Sequence, residues 1–144
     1  MLMKQILGSK ASQEMFWVTP DAKVSEAAKI MSQNRIGTVI VSPDGKALTG
    51  ILSERDIVRQ IGKTGAGCLD DAASTLMTSK ITTCKPDDTD VFAMQTMTDG
   101  RFRHLPVMED GVMIGVVSIG DVVKARLSEL AMEKSALEGM IMGH

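Results

Sequence analysis

The sequence predicts an α/β protein built from a duplicated β-α-β-β-α unit. Three observations carry this: a long internal repeat, apolar spacing that alternates between strand and helix periods, and Asp-Gly turns at matching places. Val18 to Arg59 aligns with Cys84 to Lys124, with one deletion after the turn. Pro20-Asp21 matches Pro86-Asp87, Ala27 and Met31 match Ala93 and Met97, Arg35 matches Arg101, and Val41 matches Val107. Asp44-Gly45 matches Asp110-Gly111, Gly50 matches Gly115, and Ser53-x-x-Asp56-x-Val58 matches Ser118-x-x-Asp121-x-Val123. Turn, core and polar residues stay in step across these twelve identities, which chance similarity does not do. A repeat this short often cannot bury its apolar face alone, and a neighbouring copy covers it.

Each copy reads the same way along the chain. Phe16-Trp17-Val18-Thr19 and Ile81-Thr82-Thr83-Cys84 are short, β-branched or aromatic runs and predict strands. Val24, Ala27, Ala28 and Met31 share one helical face, and Val91, Met94 and Met97 are expected to do the same in copy two. Thr38-Val39-Ile40-Val41 and His104-Leu105-Pro106-Val107 predict the next strands. Pro106 lacks an amide donor and is expected at an edge or strand end. Pro43-Asp44-Gly45 and Glu109-Asp110-Gly111 are turns. They lead into strands over Leu48 to Leu52 and Met113 to Val117, giving one hairpin per copy. A helix closes each copy, with Ile57, Val58 and Ile61 or Val122, Val123 and Leu127 on its apolar face. Gly62 to Ser74, with three Gly and an Asp-Asp pair, reads as the linker. Lys4–Leu7 and Ser74–Met77 occupy equivalent places and read as lead-in helices.

Composition narrows the function classes. The chain has 144 residues, 44% apolar and 24% charged, as a soluble globular protein does. Aromatics are 3% and Tyr is absent, so the core must come from Val, Ile, Leu, Ala and the 12 Met. A formal charge of −2 argues against nucleic acid as the main partner. The longest apolar run, Val112 to Ile119, is far short of the roughly 20 residues of a membrane helix. The N-terminal stretch has no signal-peptide core, and Lys4 interrupts it. Cys68 and Cys84 are too few for a disulfide framework and read as reduced thiols in a cytoplasmic protein.

Ser-x-x-Asp stands in both copies where the second hairpin strand passes into a helix. Ser53 and Ser118 are good N-caps, and a carboxylate three residues on suits the first helical turn. The same groups also suit a ribose phosphate. A helix N-terminus offers free N–H groups to phosphate, and a carboxylate can accept from two vicinal hydroxyls. Both readings stay open on the sequence. Arg103 and His104 sharpen the second in copy two, Arg103 being a permanently charged fork suited to phosphate oxygens. Copy one has Gly37 and Thr38 there, and instead carries Arg55 inside its Ser-x-x-Asp motif.

The ordered set of Pro-Asp start, Arg103-His104-Leu105-Pro106-Val107 strand and Gly-x-x-Ser-x-x-Asp ending, twice over, resembles a tandem pair of CBS domains, the module named after cystathionine β-synthase. The resemblance covers residues 9–134 and is greatest to small stand-alone bacterial pairs. It places one CBS domain at 9–70 with a linker over 62–74, a second at 77–134, and a helical tail at 135–144. It implies two copies packed about a pseudo-twofold axis, with clefts that take an adenosyl ligand: AMP, ADP, ATP, NAD(H) or S-adenosylmethionine. It assigns Asp56 and Asp121 to ribose, Ser53 and Ser118 to phosphate or ribose, and Arg103 and His104 to phosphate. Thr38, Thr19 and Thr83 fall where base and phosphate contacts occur. The lack of a basic pair weakens the phosphate expectation for copy one. The resemblance also implies a regulatory role and a homodimer.

No catalytic constellation stands beside this. His104 and His144 are the only histidines, and no Cys/His cluster has zinc spacing. There is no phosphate-binding Gly-rich loop of either common type. Asp70-Asp71 and Asp87-Asp88 read as a solvated linker and a helix start. The expected function is a non-enzymatic nucleotide sensor with no metal, acting on itself as a dimer or on a separate protein. The alternative is a ligand-free dimeric scaffold that recruits a protein partner. Val123, Leu127, Leu130, Lys134, Leu137 and Ile141 follow a heptad seam with one Lys interruption. That seam reads equally as a dimer contact or as a long last helix on its own module. Met132, Met140 and Met142 are candidate contact residues, and Gly143-His144 is expected to fray.

Overall fold

Tight Asp-Gly turns set the geometry of both copies. Gly45 and Gly111 sit at φ 81° and 78°, and Asp110 at 52°, in the left-handed region that Gly and Asp tolerate best. Asp44 Oδ1 accepts from the Lys46 and Ala47 N–H groups at 2.8 and 2.9 Å. These bonds, chiefly the one from Ala47, hold the Asp44 carboxyl below its ordinary value. The structure is a computed structural model that describes residues 1–10 and 15–141. Met142 and the end Gly143-His144 lie outside the described residues.

The order is α1 (Met3–Ser9), β1 (Trp17–Val18), α2 (Val24–Asn34), β2 (Thr38–Val41), β3 (Gly50–Ser53), α3 (Glu54–Thr64), a 3-10 turn (Ala66–Asp70), α4 (Ala73–Leu76), α5 (Asp90–Gly100), β4 (His104–Glu109), β5 (Val112–Ser118) and α6 (Ile119–Ile141). The mixed α/β class and the two hairpins are as expected. Within the expected linker, Gly62 to Thr64 continue α3, and the 3-10 turn buries Cys68.

Two compact units form, one from Met1–Gln13, Thr83–Glu109 and Gly115–His144, the other from Glu14–Thr82 and Asp110–Ile114. Each lead-in helix serves the unit of the opposite copy. Met3 and Ile6 of α1 lie in one core with Cys84, Ala93, Met97, Leu105, Val107, Val117 and Val122. Ala73 of α4 lies in the other with Val18, Val24, Ala27, Met31, Val39, Val41, Leu52 and Ile57. The duplicated glycines make room for these helices. A Cβ on Gly115 would stand 2.7 Å from Leu7 Cδ2, and one on Gly50 would overlap the Met77 side chain.

In copy one β1, β2 and β3 form a sheet in that order, β1 parallel and β3 antiparallel to β2. In copy two β4 pairs with β5, and the expected strand over Ile81–Cys84 shrinks to one parallel bridge, Cys84 to Val107. Pro106 explains the loss. Its copy-one equivalent, Ile40, donates its N–H to the Phe16 carbonyl at 3.1 Å. Proline has no such donor, so only the bonds through Cys84 survive: Cys84 N–H to the Pro106 carbonyl and Met108 N–H to the Cys84 carbonyl, each 2.9 Å. Pro106 is buried inside β4, an edge strand of the two-stranded sheet, which is the first of its two expected places.

Three expected helix faces are rotated. In α5 the buried residues are Asp90, Ala93 and Met97, while Val91 is 52% exposed. Ala93 and Met97 repeat Ala27 and Met31, which bury in α2. In α3 Ile57 is buried but Val58 is 68% exposed. In α6 Val122 and Ala125 are buried, while Val123, Leu127, Leu130, Leu137 and Ile141 all face outward. Cys68 and Cys84 are buried free thiols, and burial pushes the Cys84 thiol up to about 12.

Candidate functional site

A helix start leaves its first N–H groups without intrahelical partners, and each copy answers with a Ser-x-x-Asp corner. One backbone bond closes each corner against the first hairpin strand. Glu54 N–H donates to the Gly37 carbonyl at 2.9 Å, and Ile119 N–H donates to the Arg103 carbonyl at 2.8 Å.

In copy two, Ser118 N–H donates to Asp121 Oδ2 at 2.9 Å, and Asp121 N–H donates to Ser118 Oγ at 3.1 Å. The Lys10 ammonium lies 3.0 Å from the same Oδ2 and donates to the Val116 carbonyl at 2.9 Å. Asp121 Oδ1 takes no hydrogen bond or ion pair among the described residues. Burial pushes the Asp121 carboxyl up, but the Ser118 N–H and the Lys10 ammonium outweigh it and hold it below its ordinary value. The carboxylate is thus ionised, with one oxygen tied down and the other open among the described residues. His104 is half-buried beside it. Burial pushes the imidazole below its ordinary value; Asp121 opposes this, and Lys10 and Arg103 reinforce it. Arg103 is exposed, with its backbone held against Ile119.

Copy one is built differently. Ser53 N–H and the Ser53 hydroxyl both donate to Asp56 Oδ2, at 2.9 and 3.0 Å, and Asp56 N–H donates to Ser53 Oγ at 3.2 Å. Arg59 Nη1 stands 3.6 Å from Oδ1, so both oxygens are engaged. Where copy two carries Arg103, copy one has Gly37 covered by a carboxylate: a Cβ there would meet Glu54 Oε1 at 3.0 Å. A phosphate would meet negative charge at that corner.

Of the other expected residues, Thr38 stands directly opposite Ser53 in the β2–β3 register. Arg55 is exposed on the first turn of α3 and makes no ion pair among the described residues. Thr19 follows Val18, which pairs with Val41 at the far end of β2 from Thr38. At about 3.3 Å per residue, it is on the order of 13 Å along the strand from the corner. Thr83 is exposed and precedes Cys84, which reaches β4 at Val107, so it runs beside the middle of that strand. The two threonines are not equivalent: Thr83 matches Trp17, and Thr19 matches Lys85.

Lys10 and Arg59 are the residues that motif reading missed. Lys10 had a signal. Ser9-Lys10 recurs as Ser79-Lys80 after the second lead-in helix, so the repeat reaches further toward the N-terminus than Val18. Among the described residues, no three His, Cys, Asp or Glu side chains gather as a metal site, and no helix is long and apolar enough to cross a membrane.

Comparison with known proteins bears on the family and the fold. The CBS domain family model matches residues 4–63 and 73–128. The mitochondrial CBS domain-containing protein CBSX3 of Arabidopsis thaliana is 40% identical over 140 residues, covering 94% of this chain and 68% of its own length. A CBS-domain-containing protein of Agrobacterium tumefaciens is 39% identical with a TM-score of 0.81, over 88% of this chain and 99% of that one. A CBS domain protein of Pyrobaculum aerophilum, solved in complex with AMP, is 26% identical with a TM-score of 0.76, over 92% of this chain and 99% of that one.

Proposed function

The chain belongs to the CBS domain family as a tandem pair, a regulatory module, and from that premise we propose that it is a non-enzymatic sensor of an adenosine-bearing nucleotide. The observation that carries this is Asp121, ionised, with Oδ2 tied to Ser118 and Lys10 and with Oδ1 open among the described residues. An open carboxylate oxygen can accept from ribose hydroxyls, while the Ser118 hydroxyl, Arg103 and His104 supply polar and cationic groups for phosphate. The AMP complex of the Pyrobaculum relative supports the ligand class. Copy two is the stronger site, because copy one engages both Asp56 oxygens and sets Glu54 where Arg103 would be. Candidate ligands are AMP, ADP, ATP, NAD(H) and S-adenosylmethionine. The signal is a difference in ligand affinity between two conformations, read by a partner protein or by a second copy of the chain.

The outward seam on α6 supports a homodimer. An antiparallel pairing suits its charges: Lys124 then faces Glu138 of the second copy, and Lys134 is staggered from itself instead of opposed. A second reading, a ligand-free scaffold, is favoured by the capping bonds at both Asp residues. Calorimetric titration with AMP, ATP, NADH and S-adenosylmethionine separates them. The sensor reading expects saturable binding of at least one, and absence of binding by all four at millimolar concentration leaves the scaffold.

A further inference from the structure

Asp121 is not held by its own repeat alone. Its Oδ2 takes a donor from Ser118, three residues back, and another from Lys10, in the lead-in segment at the other end of the chain. The ammonium is itself anchored on the Val116 carbonyl, so Lys10 ties the end of β5 to the first turn of α6. Both side chains are about one-quarter exposed, so the pair is partly shielded from water.

Resting on the nucleotide reading above, we propose that Lys10 is the positioning residue for Asp121: it fixes Oδ2 toward the protein and leaves Oδ1 as the oxygen offered to the ribose. A carboxylate with two donors on one oxygen has little freedom to turn, so less side-chain entropy is lost when a ligand binds. The neighbouring ammonium also keeps it ionised, and hydroxyls donate more strongly to an anion than to a neutral acid. Copy one shows the contrast. Lys80, the counterpart of Lys10, is exposed and makes no ion pair with Asp56 among the described residues. There the nearby cation is Arg59, and it faces Oδ1, the oxygen that copy two leaves open.

The test uses full-length Lys10→Met, Lys10→Arg and Lys80→Met, each checked for an intact amide spectrum. Adenosine and AMP are titrated separately by calorimetry, and the Asp121 carboxyl is titrated by carbon NMR without ligand. Lys10→Met is expected to weaken adenosine and AMP by the same factor, about tenfold, and to raise the Asp121 pKa. Lys10→Arg restores most of both, and Lys80→Met changes neither. An unmoved Asp121 titration overturns the proposal. So does a loss confined to AMP, which would make Lys10 a phosphate ligand instead. A wild type that binds AMP and a Lys10→Met variant that binds it equally well overturns this inference alone. A wild type that binds neither adenosine nor any nucleotide removes the sensor reading and this inference with it.

Discussion

Ser53 and Asp56 hold each other reciprocally: the Ser53 N–H reaches Asp56 Oδ2 at 2.9 Å, and the Asp56 N–H reaches Ser53 Oγ at 3.2 Å. Ser118 and Asp121 repeat the exchange. Capping uses one carboxylate oxygen, so a cap and a ribose acceptor are compatible in one residue. Asp121→Ala is therefore expected to lose both: about 1 kcal/mol of stability, and at least tenfold in affinity for adenosine. Asp56→Ala should cost similar stability with far less change in affinity. Thermal unfolding and calorimetry on the two variants check this. A destabilised Asp121→Ala that binds adenosine normally would reduce both motifs to caps.

His104 makes the pH dependence specific. Its folded pKa lies below 6.5, chiefly through burial, so the neutral ring is the one the fold favours. The unfolded chain takes up the proton first on acidification. The resulting stabilisation is full above 6.5 and is lost as pH falls through the folded value. His104→Gln should flatten that part of the stability profile. A bound phosphate would raise the imidazole pKa, so AMP binding near pH 6.5 should take up more protons in wild type than in His104→Gln. Calorimetry in two buffers of different ionisation enthalpy reads the difference; equal uptake would place His104 away from the phosphate.

Gly50 and Gly115 are predicted to tolerate a methyl group unequally. At Gly50 the new Cβ meets Met77 down to its Cβ at 3.1 Å, close to the backbone. At Gly115 it meets chiefly the terminal methyls of Leu7, which can turn away. Gly50→Ala should cost about 1–3 kcal/mol and Gly115→Ala less, measured by urea unfolding. A neutral Gly50→Ala would show that α4 and its following residues shift freely.

The α6 seam predicts a change of assembly without a change of fold. Leu130 and Leu137 are 43% and 59% exposed, so Asp at either position removes no core contact of the chain. Sedimentation should show wild-type dimers and variant monomers, with the unfolding temperature at low protein concentration unaltered. Monomeric wild type would assign the seam to another partner.

Much of this was legible in residues whose local chemistry leaves little choice. Asp-Gly demands a turn, Ser-x-x-Asp demands a helix start, and Thr38–Val41 is the observed β2. Helix faces were less legible because α3 and α5 carry apolar residues on more than one side. Val58 and Val91 fit the period as well as the residues that are buried, and only packing chose between them. Comparing the copies would have corrected α5, since Ala93 and Met97 repeat Ala27 and Met31. The loss of the strand before Cys84 followed from one absent N–H at Pro106, an effect felt on the neighbouring strand and not at the proline itself. Lys10 escaped because its partner is remote in sequence, and charge alone does not say which carboxylate a lysine will find.

The crossing of the lead-in helices has a practical corollary for anyone cutting the chain. A scissor placed at the midpoint, near residue 70, would yield an N-terminal fragment still carrying Met3 and Ile6 but robbed of Ala73, and a C-terminal fragment with the opposite defect. Neither half should be well formed in isolation. Co-expressed, each could donate its stray helix to the other, so functional complementation between fragments is the natural assay of this interlaced design.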